Sequence, residues 1–163
     1  MEVLTYLEMT APEELRPARP APGVRLEPAD AGDPAGRSTL ERIGKPHRWP
    51  CLAWSDDEWD RWLWDIHPRR WTIRYGDGPA GMVELALQPD EQVELVTFGL
   101  FPEFVGRGVG GHALTITTRL AWNLDPAVRR VWLHTSSLDH PNALPNYRSR
   151  GYRPYRTEVR RQG

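Results

Sequence analysis

The residues best equipped for chemistry in this chain of 163 residues lie in "FPEFVGRGVGGHAL", Phe101 to Leu114. There Gly106, Gly108, Gly110 and Gly111 place four glycines within six positions. Glycine costs about 0.5–1 kcal/mol relative to alanine inside a regular element, so so dense a run implies backbone that something must approach closely. A strand that passes through bare glycines into a helix start aims free N–H groups, and the positive end of the helix dipole, at one spot. That arrangement suits a pyrophosphate. Gly106–Gly111 also satisfies G-x-G-x-x-G, but the dinucleotide fingerprint needs the first strand of a parallel βαβ unit and an acid roughly 20 residues on. Here the motif follows an antiparallel pattern, and the next strand ends in His134 and Thr135. A nucleoside-triphosphate loop fails as well, because no Gly-Lys-Ser/Thr closes the run.

The other reactive side chains are sparse. Cys51, next to Pro50, has no base nearby and reads as a small buried hydrophobe. As the only cysteine it excludes an intramolecular disulfide and a cysteine-built metal site. No His, Asp and Glu set has metal-ligand spacing. No Ser or Cys has the His partner that an acyl-enzyme would need. His134, closing "VWLH", stands at a strand end where a proton relay would fit. Glu84 in "MVELAL" and Glu94 in "VELVTFGL" fall on neighbouring strands, where two carboxylates facing one cleft would hold a cationic substrate.

The elements that must position these residues alternate clearly. "VLTYLEM" reads as a first strand, followed by "APEELRPARPAPG", whose prolines make it an extended connector. "VRLEPAD" is a short half-buried strand, and a helix falls within residues 33–43. "SDDEWDRWLW" opens with Ser55 as N-cap, acids in the first turn and Glu58 at capping-box spacing; Trp59, Trp62 and Leu63 then share one face. Residues 71–101 read as three antiparallel strands separated by Gly76–Pro79 and Gln88–Glu91. A helix over Arg107–Trp122, a strand "VRRVWLHT", a short helix "NALPNYRSR" stopped at Gly151 and a last strand "YRPYRTEVR" complete the order. After the N-terminal strand it runs β, α, α, β, β, β, α, β, α, β.

Composition describes a single globular domain over 1–163, in which 1–23 supply the first strand and connector and 24–157 the core. Hydrophobic residues make up 39% and charged residues 26%, and 21 bases against 22 acids leave a net charge of -1. That balance gives no drive toward nucleic acid or an anionic membrane. The start "MEVLTYLEMT" has acids where a signal peptide needs bases, and no apolar run nears the roughly 18 residues of a membrane span. The expectation is therefore a cytoplasmic protein with neither nucleic-acid nor membrane partners. Six of its eight tryptophans fall between Trp49 and Trp71. Trp59, Trp62 and Trp71 suit a core, while Trp49 and Trp54, in an irregular loop, suit a substrate pocket. "RPARP" and the tail "RTEVRRQG" read as solvated charge.

Two segments carry a family resemblance. "LFPEFVGRGVGGHALTITTRLAW" resembles the acetyl-CoA-binding motif of the GNAT acetyltransferases, in which a strand leads through proline into an (Arg/Gln)-x-x-Gly-x-Gly loop and a helix. Gly108 and Gly110 take the two motif glycines, and Val105 stands where that motif has Arg or Gln. "LDHPNALPNYRSRGYRPY" resembles the family's A-x-x-x-Y-x-x-x-Gly-Phe closing motif, with Ala143, Tyr147, Gly151 and Tyr152 in register. His140 stands at a position often held by Asn, and Asn142 lies close by. The resemblance covers roughly residues 24–157 and extends to bacterial members ending "LDHPxALxNYRxRGF". It implies the GNAT fold, an α/β (α+β) architecture: a mixed, mostly antiparallel twisted sheet of 6–7 strands flanked by about four helices.

It also implies an acetyl-CoA-dependent N-acyltransferase that moves an acetyl group to an amine of a small molecule or protein by direct transfer in a ternary complex. The alternative is a non-catalytic CoA-binding or sensor module. Cofactor contacts would come from Phe98, Gly99, Leu100, Val105, Gly106, Arg107, Gly108, Val109, Gly110, Gly111, Asn142, Asn146 and Tyr147, with no metal. An alkyl amine, with a pKa near ~10.4, must lose a proton before it attacks, and the departing thiol takes one up. Tyr147 is the implied general acid. Glu94 is the implied base, since it falls where histone-type members with a similar "E-I-x-x-x-x-V" strand carry a catalytic glutamate. Glu84 and His134 are its substitutes, and Glu84, Trp49 and Trp54 would meet the acceptor. The protein would be a monomer or a homodimer, the latter joined through its spare N-terminal strand.

Overall fold

The computed structural model describes residues 1–161. Seven strands, β1 (Glu2–Met9), β2 (Val24–Ala29), β3 (Arg69–Tyr75), β4 (Gly78–Gln88), β5 (Gln92–Leu100), β6 (Arg130–Ser136) and β7 (Arg153–Arg160), form one sheet in the order β2-β3-β4-β5-β6-β1-β7. Four helices flank it: α1 (Ala35–Gly44), α2 (Asp56–Ile66), α3 (Val109–Trp122) and α4 (Ala143–Ser149). Every neighbouring pair is antiparallel except β5 and β6. This is the mixed, mostly antiparallel GNAT-type sheet that the resemblance implies.

Helices cover both faces at the centre. Residues 80–86 of β4 are therefore buried without interruption, in place of the alternation of a one-sided strand. On one face Ile73, Val83, Leu85, Val93, Leu7 and Leu133 pack with Ala113, Leu114 and Trp122 of α3 and with Tyr147 and Tyr152. On the other, Leu40 and Ile43 of α1 and Trp59 of α2 gather around Met82 and Phe101.

Local chemistry sets the helix starts. Ser55 accepts a hydrogen bond from the Glu58 N–H at 3.2 Å, and Glu58 reaches back to complete a capping box on α2, a device worth about 0.5–2 kcal/mol. α3 begins at Val109, two residues later than its apolar pattern suggests, because Gly108 holds a left-handed φ of 77° at its N-cap.

Two expectations need correction. β1 is not spare: it pairs with β6 on one edge and β7 on the other, within its own chain. Paired on both edges, it has none free for a partner. Nor is the connector simply solvated. The Arg16 N–H donates to the Arg150 carbonyl at 2.8 Å and the Ala18 N–H to Thr115 Oγ1 at 3.0 Å, so residues 14–18 strap the ends of α3 and α4 together. Gly151, at φ 105°, leaves room for that crossing: a Cβ there would lie 2.1 Å from the Glu14 carbonyl oxygen. The charged tail continues β7 as far as Arg160; Gln162 and Gly163 lie outside the described residues.

Candidate functional site

β5 and β6 run parallel for three residue pairs only, Gln92–Glu94 beside Arg130–Trp132. At Val96 the register of β5 against β4 slips by one residue, so Thr97 faces Glu84 while Leu95 faces Leu85. A bulge of this kind bends its strand, and beyond it β5 leaves β6. The gap between them opens a cavity of about 630 Å³, within the usual range for a small-ligand site.

One end of the cavity is backbone. Gly106 and Gly108 adopt φ of 81° and 77°, the left-handed region that glycine enters at no steric cost. A Cβ on either would meet no protein atom within 4 Å. Gly110 is helical, and a Cβ there would touch Leu100 and Asn146 only at ordinary distances of 3.6 and 3.7 Å. Neither conformation nor packing requires its bareness, which leaves the cavity it lines. Gly111 differs, because its Cβ would press on Arg150 Nη1 at 2.8 Å and on Ala18 at 3.0 Å. Four glycines thus have three reasons: two form the turn, one clears the cavity, and one admits the strap and α4. Asn146 Nδ2 donates to the Gly110 carbonyl at 3.2 Å, fixing α4 against this first turn. Past Glu94, the β5 edge that faces β6 has no strand partner among the described residues. Its Phe98, Gly99 and Leu100 form a further wall.

Tyr147 stands midway. It is buried, packed edge-on to Phe98 and Tyr152 at 6.3 and 6.1 Å between ring centroids, and it lines the cavity. Burial, with Asp139 and then Tyr152 adding to it, pushes its hydroxyl well above the ordinary phenol range. It therefore keeps its proton at neutral pH and can act there as a donor.

The far end is polar and aromatic, formed by His47, Trp49, Asp139 and His140. Asp139 accepts from Trp49 Nε1 at 3.0 Å, Thr135 Oγ1 at 2.7 Å and the Ser136 N–H at 2.9 Å. His47 Nδ1 lies 3.0 Å from the Leu138 carbonyl. A carbonyl only accepts, so the Nδ1 of His47 carries hydrogen, and in the neutral form of the ring the lone pair lies on Nε2. His140 has the opposite tautomer, because its Nδ1 accepts the Asn142 N–H at 3.0 Å. The two rings sit 6.2 Å apart. His140 is marked by its place in the closing motif but His47 is not, and their pairing stays hidden because they come from segments about ninety residues apart that only the fold joins.

Of the site residues expected from sequence, the cavity gathers Trp49, Phe98, Gly99, Leu100, Val105, Gly106, Gly108, Gly110, Gly111, Asn142, Asn146 and Tyr147. It does not gather the rest. Arg107 faces solvent and Val109 is core. Trp54 packs within the tryptophan cluster, edge-on to Trp59 at 4.9 Å and 5.9 Å from Trp62, and does not line the cavity. Glu84 is buried and ion-paired with Arg70 at 3.1 Å, and it accepts from Thr97 Oγ1 at 2.7 Å. Its carboxylate is thereby committed to the core. Glu94 lies at the closed end of the β5–β6 fork, where it accepts from Gln88 Nε2 at 3.0 Å, and burial raises its pKa. His134, opposite Tyr6 on β1, sits 5.4 Å from that ring on the outer sheet surface. Cys51 is outside the cavity as well; burial pushes its thiol up to about 11, and the Glu84 carboxylate adds to the shift.

The sequence matches the family model of the acetyltransferase (GNAT) family over residues 40–152. Solved structures agree in fold. A GCN5-related N-acetyltransferase from Kribbella flavida aligns with a TM-score of 0.63 at 18% identity, over 95% of this chain and 55% of its own. Another from Sphaerobacter thermophilus gives 0.66 at 16%, over 96% and 49%. A Bacillus subtilis acetyltransferase solved in complex with CoA gives 0.59 at 19%, over 80% and 76%. The chain thus spans about half the length of the first two. No curated protein matches the sequence.

Proposed function

Since the chain belongs to the acetyltransferase (GNAT) family, we propose that it binds acetyl-CoA in the β5–β6 cavity and transfers the acetyl group to a primary amine. The single observation that carries this reading is the continuity of the cavity. It joins the bare turn at Gly106, Gly108 and Gly110 to the buried hydroxyl of Tyr147 and then to the His47–Asp139–His140 cluster. The residues fit the ligand, because Gly110 makes room that neither its conformation nor its protein neighbours need.

Bound acetyl-CoA would supply the acyl group as a thioester. The N–H groups of Gly108 to Gly111 would hold its pyrophosphate, and the free edge of Phe98–Leu100 its amide arm. Tyr147, kept protonated by burial, would hand a proton to the departing thiol. With Glu84 and Glu94 outside the cavity, His47 is the group placed to take a proton from the amine, through the lone pair that its Nδ1–carbonyl bond leaves on Nε2. Asp139 would attract the ammonium form of the acceptor, and Trp49 would flank it. The reaction would pass directly from donor to acceptor, since Cys51 lies elsewhere and its thiol is hard to ionise.

Val105, which stands where the family motif carries Arg or Gln, favours a second reading in which the domain binds CoA without turnover. Isothermal titration with acetyl-CoA, CoA and NAD, followed by a thiol-release assay across a panel of primary amines, tests both. The first reading expects binding of acetyl-CoA and CoA but not NAD, and turnover with at least one amine. In that assay Tyr147→Phe should lower kcat by about 10²-fold or more with CoA affinity nearly unchanged. Binding without turnover would support the second reading, and an unchanged rate in Tyr147→Phe would remove that hydroxyl from the mechanism.

A further inference from the structure

Two arginines line the cavity at the end away from His47 and Trp49: Arg150, which stands in the closing segment "NYRSRGY" with no role assigned to it by the resemblance, and Arg19, which lies outside both motifs. Arg150 lies on the C-terminal side of α4, one turn beyond Asn146 and Tyr147, with Nη1 against Gly111. Arg19 is the residue after the strap. Neither is in an ion pair among the described residues, and Arg150 Nε is buried without a hydrogen-bond partner. The acid nearest in sequence on the strap, Glu14, is already taken by Arg153 and Thr10. Asp139, the one acidic residue of the cavity wall among the described residues, is held at the opposite end by Trp49, Thr135 and Ser136.

Two unpaired guanidinium groups share the cavity wall with the glycines at the positive end of α3, and the Nε of one is buried without a partner. Such an arrangement attracts an anion, and arginine's fork suits a phosphate in particular. We propose that Arg19 and Arg150 form a phosphate clamp for the nucleotide half of CoA, with the N-terminal strap carrying one jaw. The position along the cavity supports this. From Trp49 the wall passes Tyr147, then Asn146 with Gly110, and then Arg150 with Gly111 and Ala18, so the arginines stand where the cofactor's nucleotide end would emerge. The phosphate is either the 3′-phosphate of the ribose or the pyrophosphate. The strap reaches this place through Arg16 on the Arg150 carbonyl and Ala18 on Thr115, so the docked N-terminal segment holds Arg19 at the cavity.

The inference rests on the CoA reading, and calorimetry on the full chain separates the two. The ligands are CoA and 3′-dephospho-CoA; the variants are Arg19→Ala, Arg19→Lys and Arg150→Ala. Charge-assisted contacts of this kind correspond to losses of about 10- to 100-fold in affinity, so Arg19→Ala and Arg150→Ala should each weaken CoA to that extent, with partial recovery in Arg19→Lys and a shallower salt dependence. Arg19 is exposed, so its replacement leaves folding intact even if Arg150→Ala disturbs the strap. If the variants lose affinity for CoA but not for 3′-dephospho-CoA, the clamped group is the 3′-phosphate; equal losses for both assign the pyrophosphate. Wild-type affinity for CoA retained within about twofold in Arg19→Ala and Arg150→Ala overturns the clamp and leaves the CoA reading standing. No binding of either ligand by the wild type overturns both.

Discussion

Replacing Glu84 should expose a structural rather than a chemical role. Its carboxylate and the Arg70 guanidinium are 1% and 5% exposed, joined at 3.1 Å, with Thr97 donating to the second oxygen at 2.7 Å. Gly36 makes the space: a Cβ there would collide with the Arg70 guanidinium. Removing one member strands the other charge in a dry interior, a loss of about 3–5 kcal/mol. For a domain of this size each kcal/mol moves the melting point by about 2–4 °C, so Glu84→Gln should melt roughly 6–20 °C lower. Joint replacement, Arg70→Met with Glu84→Leu, removes both charges and should recover most of the loss, because a buried pair is often no better than apolar residues of its size. Thermal unfolding by circular dichroism reads the stability. CoA titration at a temperature where all variants are folded reads the site, where affinity should hold within about twofold. A Glu84→Gln protein that melts within about 2 °C of wild type yet has lost turnover would refute this account and return Glu84 to the chemistry.

Three further outcomes follow from the same structure. Gly110→Ala and Gly111→Ala should part company. The first keeps stability, or gains up to about 1 kcal/mol from helix propensity, but weakens CoA binding in calorimetry. The second crowds Ala18 and Arg150 and should lose up to about 2 kcal/mol net, since overpacking by about 1–3 kcal/mol outweighs that gain. Glu94 has a folded-state pKa raised above its unfolded value by burial, so its stabilising share is present at low pH and lost as pH rises through the folded value. Melting curves from pH 4 to 8 should fall less steeply in Glu94→Gln, and the variant should melt higher at pH 8. Tyr152→Phe leaves Thr118 Oγ1, now bonded at 2.7 Å, without its partner in the core. A loss of about 1–3 kcal/mol with unchanged CoA affinity is expected in denaturant titration.

Local chemistry was the most legible part of this chain. The Ser55–Glu58 capping box, the three-strand meander after Trp71 and the glycine turn before α3 each depend on neighbours in sequence, and each appears within a residue or two of its expected place. The glycine loop and Tyr147 were readable as one cavity because two motifs announced them. What stayed hidden depends on partners far along the chain. Whether Glu84 faces a cleft or an arginine is decided by Arg70 across the β3–β4 ladder. Trp49 and Trp54 look alike in sequence, yet Asp139 draws one to the cavity and Trp59 with Trp62 the other to the core. His47 acquires its tautomer from a carbonyl at Leu138. The proline-rich segment looked solvated because its composition hides that two of its N–H groups bind α3 and α4.

The place of β1 between β6 and β7 has a consequence for how the molecule comes into being. Leu4 is opposite both Ser136 and Glu158, so each edge of β1 is closed only by residues more than 120 positions further along the chain. Pairings this distant in sequence slow folding, and an unpaired strand is meanwhile a template for aggregation. On the ribosome, β2 to β5 and their helices can assemble while β1 and the strap behind it are still loose. The strap, whose partners are the Arg150 carbonyl and Thr115, can settle only once α4 is in place against α3, so its docking is a late step too.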